Sequence, residues 1–298
     1  MIQHQSSTPT LPARVMVLGA SGFIGQYLIR HLSELGMQAV PLASREIDLG
    51  QPESVAKLRE VVRAEDSVVF ASALTPDRGR DRRAMLKNLA MGDHVSQFLE
   101  NNPCSHLIYI SSDAVYRDGE HPIREISCCQ PSSLYGFSHL VREEMLREVT
   151  KRAGTPLVVL RPCAIYGAAD THNSYGPNRF RRMALEQRKI TLFGQGEEKR
   201  DHIYIADVVR LIGLCLLHKS TGTLNLATGQ SVSFMEVAQK VAALTEGQVE
   251  IEGLPRSSPI THLHFDVTAT LKAFPEFNFT SLDEGLTAMV EKASMANG

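Results

Sequence analysis

The stretch VMVLGASGFIGQYLI at residues 15–29 places an apolar run directly before three glycines and an amphipathic segment. The run predicts a strand, and the apolar positions spaced by three or four residues after Gly22 predict a helix. Gly19 permits a tight turn, Gly22 lets a diphosphate approach the backbone at the positive end of the helix, and Gly25 allows close packing of helix and strand. This order predicts a dinucleotide-binding loop, with a ligand-free glycine turn as the alternative.

The composition favours a soluble globular protein, because 43% of the 298 residues are hydrophobic and 21% are charged. The net charge of -2 does not favour binding to nucleic acid or to an anionic membrane, and no apolar run has the length of a membrane span. Residues 1–13 lack the apolar core of a signal peptide, so we expect a disordered leader there. Five cysteines without a CxxC pair favour the reduced cytoplasm, and we expect no metal site.

The first half of the chain alternates strand and helix patterns. This alternation predicts a Rossmann-type α/β fold, a doubly wound parallel sheet with helices on both faces. We assign residues 14–165, with parts of 200–230, to the dinucleotide-binding domain, and 166–200 with 230–298 to a smaller C-terminal substrate-binding lobe. The predicted strands of the first half are 14–18, 37–42, 67–72, 105–111 and 156–161, and its predicted helices are 23–35, 52–63, 81–100 and 133–153. The second half predicts helices at 178–188, 233–246 and 281–296, strands at 190–193 and 223–227, a strand and helix within 201–217, and loops at 166–178 and 253–262.

The residues after the second predicted strand bear on the choice of cofactor. NAD-binding folds usually place an acidic residue there to hold the ribose 2′-hydroxyl, whereas this chain has Ala43, Ser44 and Arg45. A hydroxyl and a guanidinium suit a 2′-phosphate better, so we favour NADP over NAD, with an exposed loop arginine as the alternative. Asp48 is expected either to accept a hydrogen bond from the adenine amino group or to cap the region of the next helix.

Two segments carry candidate catalytic side chains. Ser111 and Ser112 end a predicted strand at the edge of the sheet where ligands bind, and a serine there donates to a substrate oxygen or caps a turn. Tyr135 and His139 are four residues apart and therefore share one face of a predicted helix. A tyrosine exchanges protons with a sugar hydroxyl only if its pKa falls from about 10 toward neutrality. A cation ~5 Å away at an effective dielectric constant of ~20 supplies roughly 3 kcal/mol, or about two pKa units.

Polar residues of the second half are candidate ligands for a diphosphate. Asn178 and Arg200 have suitable donors. Arg179, Arg181 and Arg182 add charge nearby, but arginines alternating along a helix are more typical of a solvated face. This leaves the first two residues as the predicted substrate contacts.

Together these segments resemble the extended short-chain dehydrogenase/reductase family of nucleotide-sugar epimerases, dehydratases and ketoreductases, over about residues 14–290. GASGFIG is similar to the family's glycine loop, and SSDAVY and YGFSH are similar to its catalytic serine and YxxxK segments. The resemblance implies that Ser112 polarises the oxygen of a nucleotide-sugar substrate and that Tyr135 exchanges its proton. It also implies that Asn178 and Arg200 hold the nucleotide diphosphate, that a nicotinamide exchanges the hydride, and that the protein is a homodimer. The predicted cofactor-binding residues are Gly19, Gly22, Phe23, Ile24, Gly25, Ser44, Arg45, Asp48, Leu49, Ala71, Ser72, Ala73, Tyr135 and His139.

The chain departs from the family pattern at His139, where the family has a lysine that binds the nicotinamide ribose and keeps a positive charge under the tyrosine. An imidazole with a pKa near 6.5 is mostly neutral at pH 7, so we expect impaired activity, activity that rises when His139 is protonated, or loss of hydride chemistry. Asp113 is followed by Ala114, so the carboxylate pair of the family's dehydratases is incomplete, which leaves 4-epimerisation or 4-keto reduction. The competing functions are a non-catalytic or weakly active dinucleotide-binding regulatory protein and a reductase of another carbonyl.

Overall fold

The computed structural model describes residues 2–170, 172–245, 247–256 and 259–296. In the first half every predicted strand and helix is present, with bounds that differ by no more than two residues from the predicted ones. The elements of this half are β1 (Gln3–His4), β2 (Val15–Leu18), α1 (Phe23–Glu34), β3 (Ala39–Leu42), α2 (Ser54–Val61), β4 (Ser67–Phe70), α3 (Arg82–Asn101), β5 (His106–Ile110), α4 (Leu134–Ala153) and β6 (Leu157–Pro162).

The second half contains more short elements than its sequence pattern predicts. The strand β12 overlaps the predicted loop 253–262, because pairing with a strand distant in sequence, and not an apolar pattern of its own, holds it in place. The elements are β7 (Ala164–Tyr166), α5 (Pro177–Gln187), β8 (Lys189–Phe193), β9 (Lys199–Tyr204), α6 (Ile205–Leu217), β10 (Ser220–Leu226), β11 (Ser231–Ser233), α7 (Phe234–Ala243), β12 (Glu250–Leu254), α8 (Thr268–Ala273) and α9 (Leu282–Ala296).

Seven strands form one large sheet in the order β1-β10-β6-β5-β4-β2-β3. All neighbours are parallel except β1, which runs antiparallel to β10. From β2 the chain adds β3 on one side and then returns to add β4, β5 and β6 on the other. The strand order therefore reverses at β2, and doubly wound sheets bind ligands beyond the carboxyl ends of the strands at such a point. The predicted Rossmann-type fold class is confirmed.

Strand β2 explains why helices cover both faces of the large sheet. Val15 and Val17 belong to an apolar cluster that includes α1 and α6, whereas Met16 and Leu18 belong to a second cluster with α2, α3 and α4. All four side chains are buried. A strand that is buried on both faces reads as an unbroken apolar run, which is the pattern of this segment.

The remaining strands form two small sheets. One has the order β11-β9-β7, and the other pairs β12 with β8 in parallel. After β9 the chain returns to the large sheet. There α6 packs against α1, and β10 pairs with β6. The division into two domains remains a prediction. None of the described helices combines the length and the apolar character that crossing a membrane requires.

The leader differs from the expectation of disorder. Strand β1 pairs with the edge strand β10, and the backbone N–H of Ser6 donates to the carbonyl oxygen of His218 at 3.1 Å. The ring of His4 lies within hydrogen-bond distance of the Ser220 hydroxyl at 2.9 Å and of the Ala273 carbonyl oxygen at 3.0 Å. The leader is polar, so its order comes from the unpaired edge of a sheet and not from an apolar pattern that the sequence would show.

Candidate cofactor and catalytic site

The glycine-rich turn lies at the carboxyl end of β2 and excludes side chains by its packing. Gly19 has a φ of +96°, and a Cβ there would lie 2.9 Å from the backbone nitrogen of Ser72. A Cβ at Gly25 would lie 2.3 Å from the Gly19 carbonyl oxygen. Gly22 is the N-cap of α1 and has no side chain to cap the first N–H groups. These N–H groups and the helix dipole suit a diphosphate.

A groove of about 270 Å³ lies over this turn, beyond the carboxyl ends of β2, β3 and β4. Phe23 is buried below the groove and Ile24 packs against the core, so these two residues and Gly25 support the turn and do not line the groove. The predicted cofactor residues that line it are Gly19, Gly22, Ser44, Asp48, Leu49, Ala71, Ser72 and Ala73. The lining residues that sequence reasoning missed are Ser21, Ile47, Leu74, Arg78, Lys87 and Met91.

Arg78 and Lys87 bring positive charge to this groove. Both residues are exposed, and neither makes an ion pair with another residue of the described ranges. Their chain positions are far from the glycine turn and each resembles an ordinary surface charge, which is why the sequence did not indicate them. Two unpaired cations beside an open helix N-terminus fit an anionic ligand.

The segment after β3 divides between the groove and the solvent. Ser44 and Asp48 line the groove, and Asp48 Oδ1 accepts the N–H of Gly50 at 3.0 Å, in a turn that precedes α2, whose N-cap is Glu53. Arg45 lies outside the groove, with 87% of its side chain exposed, and forms an ion pair with Glu46. The contact of Arg45 with a 2′-phosphate therefore remains a prediction.

Ser112 is the N-cap of a short 3-10 helix, Asp113–Val115, that follows β5. Its Oγ accepts the N–H of Ala114 at 3.1 Å and donates to Oδ1 of Asp113 at 3.2 Å. Hydrogen bonding by the Ser112 hydroxyl also lowers the pKa of Tyr135. Ser112 thus caps a turn and also lies beside the candidate acid/base.

Tyr135 lies in the first turn of α4 and is partly exposed. Burial and the nearby Asp113 carboxyl raise the pKa of Tyr135 to about 12, against the opposing effects of the Ser112 hydroxyl and the Arg142 guanidinium. The phenol therefore carries its proton at neutral pH. Leu74 lines both the groove and a small cavity that Tyr135 also lines.

His139 is buried one turn after Tyr135, and the two ring centroids lie 4.6 Å apart. Its Nδ1 is 2.7 Å from the hydroxyl of Tyr109, whereas Nε2 is buried without a hydrogen-bond partner among the described residues. Burial, together with the positive charge of Arg142, lowers the pKa of His139 well below its ordinary value. The imidazole of His139 is therefore neutral near pH 7. It does not supply the positive charge beside Tyr135 at that pH.

Asp113 is a carboxyl of the site that sequence reasoning did not assign a role. Burial raises the pKa of Asp113 to about 6, while the Ser112 hydroxyl and the Arg200 guanidinium act in the opposite direction. The carboxyl also raises the pKa of Tyr135. Its position directly after Ser112, at the carboxyl end of β5, is the signal that would have indicated it.

A buried ion pair fixes α4 to the sheet. Two guanidinium nitrogens of Arg161, on β6, donate to the Glu143 carboxylate, with Nε to Oε1 at 2.9 Å and Nη2 to Oε2 at 2.6 Å. Ser111 donates to the same carboxylate at 2.5 Å, so this serine has a structural partner inside the protein. Arg161 also donates to the Tyr116 hydroxyl at 3.0 Å. This network sets the position of the helix that carries Tyr135.

The amide of Asn178 is used within the protein. Its Oδ1 accepts the N–H of Gly167 at 3.0 Å, and its Nδ2 donates to the carbonyl oxygen of Ile165 at 3.2 Å. The side chain is buried. Asn178 therefore holds the segment after β7. Its amide oxygen and its amide nitrogen each already have one hydrogen-bond partner within the protein.

Arg200 lies on β9 and faces the catalytic segment. It forms an ion pair with Glu198, and its Nη2 donates to the Thr261 hydroxyl at 3.1 Å. Burial lowers the pKa of Arg200, whereas the carboxylates of Glu198, Asp113 and Asp118 raise it. The positive charge of Arg200 in turn lowers the pKa of Asp113.

Residues 15–227 match the model of the NAD dependent epimerase/dehydratase family. The chain belongs to this family. The matched residues run from β2 to the end of β10 and include the groove, Ser112, Tyr135 and His139. The resemblance inferred from the sequence motifs is therefore confirmed at the level of the family.

Solved structures of nucleotide-sugar enzymes share this fold. UDP-glucose 4-epimerase of Thermus thermophilus, in complex with NAD, has a TM-score of 0.85 at 22% identity over 95% of this chain and 99% of that one. A GDP-L-fucose synthetase from Naegleria fowleri has a TM-score of 0.88 at 16% identity over 99% and 98%. UDP-N-acetylglucosamine 4-epimerase from Methanobrevibacter ruminantium has a TM-score of 0.84 at 20% identity over 97% and 100%. At these identities the likeness shows the fold.

Proposed function

We propose that the protein is an NAD(P)-dependent enzyme acting on a nucleotide-linked sugar, by 4-epimerisation or 4-keto reduction, with Tyr135 as the acid/base. The observation that supports this most is that Leu74 lines both the groove over the glycine turn and a small cavity that Tyr135 also lines. Membership of the epimerase/dehydratase family adds support, as does the likeness in fold to a UDP-glucose 4-epimerase. A cytoplasmic location belongs to the same proposal.

The groove has the features that a nicotinamide dinucleotide requires. The glycine turn leaves room for a diphosphate against the backbone, and Arg78 and Lys87 supply positive charge beside it. The buried Nε2 of His139 has no partner among the described residues, as expected of a group that binds a ligand. A nicotinamide held there would supply hydride transfer to or from the sugar carbon.

The tautomer of His139 follows from its partner. Among the described residues the Tyr109 hydroxyl has no hydrogen-bond partner other than Nδ1 of His139, and burial raises the pKa of Tyr109, so the phenol keeps its proton. We infer that Tyr109 donates to Nδ1 and that the imidazole proton sits on Nε2. His139 then offers one N–H to a ribose hydroxyl, which is the hydrogen bond, without the charge, that the family's lysine makes.

Tyr135 and Ser112 act on the proton at the sugar oxygen. The phenol carries its proton at neutral pH, because its pKa is raised to about 12, and it donates that proton as the oxygen gains negative charge. Ser112 donates to the same oxygen and stabilises the developing charge. The protonated form of Tyr135, which prevails at neutral pH, is therefore the form required to reduce a keto sugar. Oxidation of the sugar requires the phenolate of Tyr135 instead.

The preference for NADP over NAD belongs to the proposal and rests on Ser44, which lines the groove. Arg45 would reach a 2′-phosphate only by leaving its exposed ion pair with Glu46, and exposed ion pairs of this kind are weak. The Asp48 carboxylate in the same groove favours NAD instead. Titration with both cofactors decides between them.

A dinucleotide-binding regulatory protein is the second candidate. The neutral state of His139 favours it, because the charge that assists tyrosine in the family is missing at that position. Such a protein would bind the cofactor and would not turn over a sugar.

The proposal is tested by titration with NAD(H) and NADP(H), followed by turnover assays with UDP-, dTDP- and GDP-linked hexoses and their 4-keto forms. Tyr135→Phe should lower kcat by roughly 10²–10⁴-fold, since it removes one hydroxyl at the chemical step. Tyr27→Phe, on α1 and outside the groove lining, is the matched control.

The outcomes separate the candidates. Saturable cofactor binding without turnover of any sugar would favour the regulatory protein. Full activity in Tyr135→Phe would reject the assigned role of that residue. Absence of binding by either cofactor would reject both candidates.

A further inference from the structure

Arg142 is a buried arginine without a carboxylate partner. It lies on α4, three residues after His139, and has no exposed surface. Its guanidinium lies 4.4 Å from the ring centroid of Phe70 and 5.0 Å from that of Tyr109. Nη2 donates to the Ser72 carbonyl oxygen at 2.7 Å, whereas Nε and Nη1 have no partner among the described residues. A guanidinium stays charged in proteins, so this is a buried positive charge that two aromatic rings and one carbonyl oxygen compensate only in part, which costs stability.

The neighbouring helix is shaped to accept this side chain. A Cβ at Gly92, in the interior of α3, would lie 2.6 Å from Cγ of Arg142. Glycine inside a helix costs about 1 kcal/mol relative to alanine. Gly92 therefore leaves the space that the Arg142 side chain occupies. The glycine inside the helix and the buried charge each cost stability, and both are needed to hold this one cation.

The cation lies against the proposed site. Ser72, whose carbonyl oxygen it holds, lines the groove, and Tyr109, whose ring it covers, contacts His139. We propose that Arg142 is a positioning residue that supplies the fixed positive charge for Tyr135, so that charge and hydrogen bonding are divided between Arg142 and His139. This inference rests on the proposed function, because it assigns how the same tyrosine is activated.

The electrostatics agree with this division. The Arg142 guanidinium lowers the pKa of Tyr135 and lowers that of His139. One charge thus favours the phenolate and keeps the imidazole neutral. The groups that face Tyr135 are Asp113 and Asp77, which raise its pKa, the Ser112 hydroxyl and Arg142, which lower it, and the neutral ring of His139.

The test uses three variants of the full-length protein. Arg142→Met removes the charge and keeps an apolar stem, Arg142→Lys keeps the charge, and the double variant Arg142→Met/His139→Lys moves it to position 139. Arg152→Met, which removes an exposed arginine from the same helix, is the matched control. Turnover is measured against pH in the oxidising direction, which requires the phenolate.

Arg142→Met should move the rise of the pH–rate profile to higher pH by on the order of one pKa unit and lower turnover at pH 7 by about tenfold. Arg142→Lys should keep most of the activity, and the double variant should recover part of the loss. The melting temperature of Arg142→Met should equal or exceed that of the wild type, since an unpaired buried charge is removed. A wild-type pH profile in a folded Arg142→Met protein would overturn the inference.

A second measurement does not depend on turnover. Nuclear magnetic resonance of labelled Tyr135 and His139, assigned with Tyr135→Phe and His139→Gln, should show both pKa values higher in Arg142→Met than in the wild type. If Arg142→Met does not fold, Arg142→Gln takes its place in both measurements. Unchanged pKa values would overturn the inference even where sugars are turned over, whereas a shift without any turnover would reject only the proposed function.

Discussion

Asp113 is the group of the site whose ionisation changes closest to neutral pH. Burial raises the pKa of its carboxyl from 3.8 to about 6. The folded protein therefore binds this proton more tightly than the unfolded chain. The contribution to stability is fully present below about pH 4 and is lost as the pH rises through about 6.

Asp113→Asn removes this ionisation. We expect its free energy of unfolding to increase relative to that of the wild type as the pH is raised from about 4 to about 7, because only the wild type must bury a charge. Urea denaturation at several pH values measures the difference. Asp118→Asn, an exposed carboxyl in the same segment, is the control. An identical pH dependence in the two variants would contradict the raised pKa.

Sequence reasoning identified His139 and missed Arg142 for a physical reason. The motif around Tyr135 shows directly that an imidazole replaces a lysine. An arginine before two glutamates on a helix looks like a solvated charge, and its burial depends on the space beside Gly92, which lies on another helix. Contacts between distant segments of this kind leave no local pattern. Arg45 shows the converse, since a residue with suitable chemistry turned out to face solvent.

At the scale of elements, the Glu143–Arg161 pair couples α4 to β6. Arg161→Met leaves the buried Glu143 carboxylate with only the longer ion pair to Arg147, at 3.4 Å, and should lower the free energy of unfolding by up to about 3–5 kcal/mol. The double variant Arg161→Met/Glu143→Met removes both charges and should recover most of that loss. Chemical denaturation of the three proteins measures both effects. A double variant as unstable as the single one would show that the pair does not act through its charges.

The predictability of the elements also differs along the chain. The strands of the large sheet other than β1 are buried on both faces or flank helices with a clear apolar period, so their positions follow from local pattern. Strand β12 has the sequence EIEGL and pairs with a strand more than fifty residues earlier, so nothing local distinguishes it from a loop. The predicted glycine turn and the residues after β3 and β4 line the groove because parallel strands end at one edge.

At the scale of the whole molecule, the reversal of strand order at β2 places the groove where the glycine turn predicts it.

The resemblance to the family additionally implies a homodimer through the two long helices. Helices α3 and α4 pack side by side, and each exposes apolar side chains, such as Leu86 on α3 and Phe137 on α4. Pairing of two such faces would bury these side chains, which supports the prediction of a dimer.

Leu86→Glu should therefore weaken the dimer, because it places a charge in the apolar face that a second copy would cover. Leu271→Glu, on α8, is a matched control, since both leucines are 46% exposed in the single chain. Light scattering coupled to size-exclusion chromatography should give a dimer mass for the wild type and for Leu271→Glu. It should give a lower mass for Leu86→Glu. A monomeric wild type, or equal effects of the two substitutions, would contradict self-association through these helices.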